Sequence, residues 1–279
     1  MGLQLPASAW GETADRLAER FSVITPDNPG AGASPVDRAR LTTGRLADGL
    51  AAVLDEAGVD AACVYGVSLG GMVAQELALR HPDRVRALVL GCTWPGGPHA
   101  VLPTRAVVRR LVGKTTGEDS LLVSPAHAAA RRAAGEAPEL LPAEGMAPQR
   151  AALRQFLAAV THDASSRLGH LDAPTLVLHG TADRIVPVGN AELLAAAIPD
   201  AELRTYEGVG HAYPMEVGAR AFADVVEFLE RRAVISPRRP SVPLRPAGGR
   251  EQLRTMTSRT RAILRERAAS QPSGRSSSA

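Results

Sequence analysis

The chain has 279 residues, with 32 Lys plus Arg against 29 Asp plus Glu, a formal charge of +3, and 45% hydrophobic residues. That composition suits a folded domain with a sizeable core and excludes a disordered or fibrous chain. No apolar run approaches the roughly 18 residues of a membrane-spanning helix. The charge is uneven: residues 231–279 hold 12 Arg and two acids, so residues 1–230 carry a net −7 and the remainder +10.

The start, Met1-Gly2-Leu3-Gln4-Leu5-Pro6, lacks the basic flank and apolar stretch of a signal peptide. Phe21 to Thr25 reads as a short strand ending at the Pro26 turn, and Leu41 to Ala57 as a helix stopped by Gly58. Ala61 to Val67 is a buried strand, Leu69 to Arg80 a helix closed by His81-Pro82, and Val85 to Leu90 the next strand. Leu176 to Leu178, a helix from Asn190 to Ala197, a strand from Leu203 to Tyr206 and a helix from Ala219 to Arg232 follow. Short apolar runs alternating with helices predict an α/β fold with a mostly parallel sheet.

Between Cys92 and His170 the rhythm breaks into Ala- and Arg-rich helical pieces, which predicts an inserted helical lid over residues 92–170. The core is then 1–91 with 171–232. Residues 233–279 read as a basic, disordered tail, with 250–268 as its one candidate helix. The tail's arginines are scattered and no aromatic residue accompanies them, which argues against nucleic acid as a partner. Cys63 and Cys92 make no disulfide framework, so a reduced, cytoplasmic protein is expected.

The chemistry concentrates in three places. Gly66-Val67-Ser68-Leu69-Gly70 follows a buried strand and opens a helix, the setting of a nucleophile elbow. A serine on so sharp a turn needs neighbours without Cβ atoms, and the helix start offers the Leu69 N–H to a developing oxyanion. A serine hydroxyl needs a base, and the base an orienting acid. Asp183 follows a strand within His179-Gly180-Thr181-Ala182-Asp183, and His211 lies between the last strand and the last helix. His179 is expected as a packed or hydrogen-bonded neighbour of the acid loop. Cys92 is expected as a small buried thiol, with no base of its own. No histidine spacing fits a metal site.

These features resemble the α/β-hydrolase fold family, in its lidded esterase, enol-lactonase and haloperoxidase-like group. The likeness runs over residues 1–232. It includes Asp27-Asn28-Pro29-Gly30-Ala31-Gly32-Ala33-Ser34, Gly66 to Gly71, Pro174 to Pro187 and Gly210-His211. Cys92-Thr93-Trp94-Pro95-Gly96-Gly97-Pro98 is similar to a segment of enol-lactonase-like members, and on that likeness Trp94 lines the substrate site. The order Ser68, Asp183, His211 is the family's triad order.

Two departures stand out. Pro29 occupies a position where the family usually has Arg. Aligning Trp10 with the family's Trp puts Met1 where a His closes the third strand, with Gly2 as its partner and Leu3 as the second oxyanion donor. On this resemblance the first three strands are absent from the chain, and further residues are expected upstream of Met1. Four large apolar side chains on such a strand stabilise by about 6–12 kcal/mol. A domain's net stability is only about 5–15 kcal/mol.

The resemblance implies a cofactor-free serine hydrolase acting on a small-molecule ester or lactone. A perhydrolase using the same triad is the alternative chemistry, and an inactive pseudo-hydrolase the non-enzymatic one.

Overall fold

The computed structural model describes residues 1–36, 40–112, 121–136 and 144–232, all within one compact unit, Met1–Pro237. The tail and its expected helix lie outside the described residues. Four strands, β1 (Ala62–Val67), β2 (Val85–Gly91), β3 (Thr175–Gly180) and β4 (Ala201–Tyr206), form one sheet in the order β1-β2-β3-β4. Every pairing is parallel, with Gly66 beside Leu90, Leu90 beside Val177 and Val177 beside Leu203.

Helices cover both faces. α1 (Gly11–Ala18), α2 (Thr43–Glu56) and α3 (Leu69–Arg80) precede β2. α4 (Arg105–Val112), α5 (Pro125–Ala133) and α6 (Gln149–Val160) lie between β2 and β3. α7 (Gly189–Ala197) and α8 (Tyr213–Arg232) complete the fold.

The strands are sorted by a period of two. Leu88, Leu90 and Val177 pack with Leu46, Ala47, Met72, Leu77 and Leu194 from α2, α3 and α7. Ala87, Val89, Leu176 and Leu178 face the other way, onto Ala221, Val225 and Phe228 of α8. β3 is buried along its whole length, whereas β1 and β4 at the edges are half exposed, the distribution expected of a parallel sheet sandwiched by helices.

Local signals account for the element ends. Thr42 caps α2 by accepting from the Arg45 N–H, and Gly58 stops the chain beyond it with φ +66°. α8 begins at Tyr213 rather than at the expected Ala219, with a non-helical Val217 (φ −133°, ψ 33°) marking a kink. Pro214 is tolerated there because a first-turn residue needs no N–H partner inside the helix.

One expected strand is not a strand. Phe21 to Thr25 is assigned to no element. Phe21 and Leu17 join the core on the α8 side, while Val23 and Ile24 remain 38% and 45% exposed. An apolar run makes a strand only where a neighbouring strand accepts its backbone. The four-stranded sheet offers this segment no pairing. Trp10 packs on Tyr65 of β1 in a tilted ring pair with centroids 4.8 Å apart, and α1 packs against α8.

The insertion is fastened by buried polar groups. Gln155 of α6, fully buried, accepts from the Gln4 N–H at 2.7 Å and donates to the Pro29 carbonyl at 3.0 Å. His162 contacts Thr43 Oγ1 at 3.0 Å and lies 3.9 Å from Glu76. Burial pulls its pKa down to about 4, outweighing Glu76. Among the described residues no helix is long and apolar enough to cross a membrane.

Candidate active site

The carboxyl ends of the strands gather the expected site residues. Ser68 sits between β1 and α3 with φ 54° and ψ −119°, backbone angles that are uncommon for a residue bearing a Cβ. The turn is held by the Ser68 N–H donating to the Gly91 carbonyl (2.9 Å) and by Thr93 Oγ1 donating to the Ser68 carbonyl (2.8 Å). The flanking glycines are sterically required. A Cβ on Gly66 would lie 2.2 Å from the Gly70 carbonyl oxygen, and one on Gly70 would lie 2.9 Å from the Met1 carbonyl oxygen. Leu69 opens α3 beside the serine, its side chain buried.

The Gly2-Leu3 segment returns to this turn. A Cβ built on Gly2 falls 3.7 Å from Ser68 Cβ, and Leu3 packs on the core that contains Leu69. The neighbouring turn is organised by Asp27, whose carboxylate accepts from the Ala7 N–H (2.6 Å) and the Ala33 N–H (2.9 Å).

Asp183 and His211 are brought together by the loops after β3 and β4. Those loops are bonded along their backbones: Thr181 N–H donates to the Tyr206 carbonyl and Ala182 N–H to the Val209 carbonyl, both at 2.9 Å. Gly180 permits the contact, since a Cβ there would meet the Val209 oxygen at 2.2 Å. His211 Nδ1 then lies 2.7 Å from Asp183 Oδ2, with both residues buried. The other oxygen, Oδ1, accepts from the Ile185 N–H (2.8 Å) and the Val186 N–H (2.9 Å).

Burial alone would raise the Asp183 pKa. The positive field and hydrogen bonds of His211, with a further bond from His179, instead hold it well below the usual carboxylate range. Burial likewise opposes protonation of His211, but Asp183 beside it raises the imidazole pKa well above 6.5.

Ser68 and His211 share no direct hydrogen bond. The Cys92 thiol faces the imidazole, its sulfur within 4.8 Å of a His211 ring nitrogen and an Asp183 oxygen. Cys92 is fully buried, with φ +38° at the end of β2. Sequence reasoning found no base for this cysteine, and the structure sets His211 against it. Burial raises the thiol pKa, which keeps it protonated.

Cys92, Asp183 and His211 present three potential metal-binding atoms within 4.8 Å of one another. Both oxygens of Asp183 are already engaged by His211 and by backbone donors. The donor set is therefore that of a hydrogen-bonded acid–imidazole pair.

Trp94 is half-buried against the core on the α3 side, its carbonyl accepting from Gln75 Nε2 at 3.0 Å. Its indole Nε1 has no partner among the described residues. Glu216, which no local pattern marks, accepts from the Gly210 N–H (2.8 Å), the Ser124 N–H (2.8 Å) and Ser124 Oγ (2.6 Å). It ties the insertion to the histidine loop.

Comparison with known proteins identifies the fold family. The sequence profile described as alpha/beta hydrolase fold matches residues 4–216. The chain is 32% identical to a pimeloyl-[acyl-carrier protein] methyl ester esterase of Chromobacterium violaceum, over 76% of this chain and 85% of that protein. It is 34% identical to a 2-hydroxymuconate semialdehyde hydrolase of a Pseudomonas species, over 79% of this chain and 80% of the relative. A solved thermophilic esterase from Thermogutta terrifontis superposes with TM-score 0.68 at 26% identity, covering 83% of this chain and 88% of that one.

Proposed function

The chain belongs to the α/β-hydrolase fold family, and from that premise we propose that it is a serine hydrolase cleaving a carboxylic ester or lactone. The observation that carries the reading is the 2.7 Å contact between buried His211 and Asp183, on the same sheet end as the strained Ser68 turn. Ser68 Oγ attacks the substrate carbonyl while His211 takes its proton. Asp183 holds the imidazole in register and stabilises the imidazolium. The Leu69 and Leu3 N–H groups bind the tetrahedral oxyanion.

Collapse of that intermediate passes the proton from His211 to the leaving alcohol and leaves an acyl-Ser68. Water, activated by the same imidazole, then releases the acid. The chemistry uses no cofactor. Residues 92–170 serve as the lid and Trp94 as part of the substrate wall. The apolar Ala and Leu content of the insertion favours a small or medium, largely apolar acyl group.

A fluorophosphonate probe and a panel of p-nitrophenyl esters and lactones test the reading. The wild-type chain is expected to label at Ser68 and to turn over at least one ester, and Ser68→Ala to do neither. Labelling that persists in Ser68→Ala would remove the serine from the mechanism.

A further inference from the structure

Three groups near the site lie outside that mechanism: the Cys92 thiol, the Glu216 carboxylate and the His179 imidazole. His179 has the most constrained chemistry. It is the penultimate residue of β3, fully buried, and its ring turns back over the loop that follows. Its Nε2 lies 2.8 Å from the Val186 carbonyl oxygen and 3.3 Å from Asp183 Oδ2. Its Nδ1 is buried with no partner among the described residues.

The partners dictate the tautomer. A carbonyl oxygen and a carboxylate oxygen only accept, so Nε2 carries the hydrogen. Each end of the acid loop is thereby tied to β3 by one side chain. Oδ2 is also the oxygen that accepts from His211 Nδ1 at 2.7 Å. The shorter bond from Nε2 runs to the Val186 carbonyl and Asp183 Oδ2 is its second, longer contact, so one carboxylate oxygen faces two imidazoles.

We infer that His179 is a positioning residue for the acid–base pair: its Nε2–H holds Asp183 Oδ2 on line with His211 and competes with His211 for that oxygen. This rests on the serine hydrolase reading, in which His211 is the base. The competition has a sign. A carboxylate oxygen that also accepts from His179 is a weaker partner for the imidazolium, so removing the donor strengthens the Asp183–His211 interaction and raises the affinity of His211 for a proton. The other groups facing the imidazole are unchanged by such a substitution: the Cys92 thiol from the end of β2, with the Tyr65 and Tyr213 hydroxyls beyond it. Glu216, bound to the Gly210 N–H, is likewise retained.

The test compares His179→Leu, which loses the donor, with His179→Gln, whose amide N–H reaches the position of Nε2. In His179→Leu the acid limb of the kcat/KM–pH profile moves up by about half a pH unit. kcat/KM at its plateau falls about tenfold, the scale on which hydrogen bonds behind a functional histidine act. His179→Gln returns the limb to its wild-type position. The same shift is read without turnover from the ¹⁵N resonances of His211 titrated in both variants. Those spectra also report the His179 tautomer in the wild-type protein.

A limb and a His211 titration that stay in place in a cooperatively folded His179→Leu overturn the proposal. A hydrogen found on His179 Nδ1 overturns it with no variant at all. Failure of the enzyme reading looks different: the wild-type chain then turns over no ester, while the His211 titration still answers for His179.

Discussion

The two ends of the described fold treat similar sequence differently. Residues 175–180 and 21–25 are both short apolar runs. The first is β3, hydrogen-bonded on both sides and buried throughout. The second belongs to no strand, with Val23 and Ile24 turned outward. An apolar run specifies an extended chain that prefers burial, whereas a strand also needs neighbours for its N–H and C=O groups. The loops after β3 and β4 leave these paired strands hydrogen-bonded to each other, and there Asp183 meets His211.

Substitutions can break this contrast or sharpen it. The largest effect is expected at the proposed acid–imidazole pair. Asp183→Asn is expected to lower kcat about 10⁴-fold through the wrong imidazole tautomer, with little change in melting, as steady-state kinetics and a thermal scan will show. Within the core, Leu178→Ala is expected to cost about 3 kcal/mol in urea unfolding, because the side chain is fully buried and its cavity cannot close.

His162 links the insertion to α2 and sets a pH dependence of stability. Its folded pKa, about 4, lies below that of the unfolded chain. Between pH 6.5 and 4 the unfolded state therefore binds the extra proton, and stability falls as the pH drops across that window. The loss is about 3 kcal/mol at most. His162→Gln is expected to flatten the dependence, read as unfolding free energies at pH 7, 5.5 and 4. Smallest of all, Ile24→Ala is expected to change stability by less than about 0.5 kcal/mol. A cost approaching that of Leu178→Ala would show that residues 21–25 are paired in solution.

Much of this was legible locally. The helix Leu69–Arg80 follows from its spacing and from His81-Pro82, and α2 from its apolar spacing and the Gly58 stop. The elbow was legible because its mechanical requirement, two residues without Cβ atoms around a serine, lies within five positions. What escaped is carried by distant pairs. Glu216 meets Ser124 across 92 positions, and Gln155 meets Gln4 across 151; neither contact leaves a periodicity or a spacing to read. The facing of Cys92 toward His211 depends on the ends of β2 and β4, which come from separate parts of the chain and have β3 between them. The early start of α8 was masked by Pro214 and Gly218, which read as breakers though the first turn and the kink accommodate them.

The insertion between β2 and β3 has a consequence for the order of assembly. β1, α3 and β2 are close along the chain, as are β3, α7, β4 and α8, so each group can form through short-range contacts. Within the sheet only the β2–β3 seam closes a long loop, and that closure costs about 0.6 kcal/mol more for each doubling of loop length. Ser68 lies in the first group, and Asp183 with His211 in the second. A refolding chain is therefore expected to complete its acid–imidazole pair before the serine arrives, with the proposed ester turnover returning last, when the seam closes from Leu88 to Gly91 against Thr175 to Leu178.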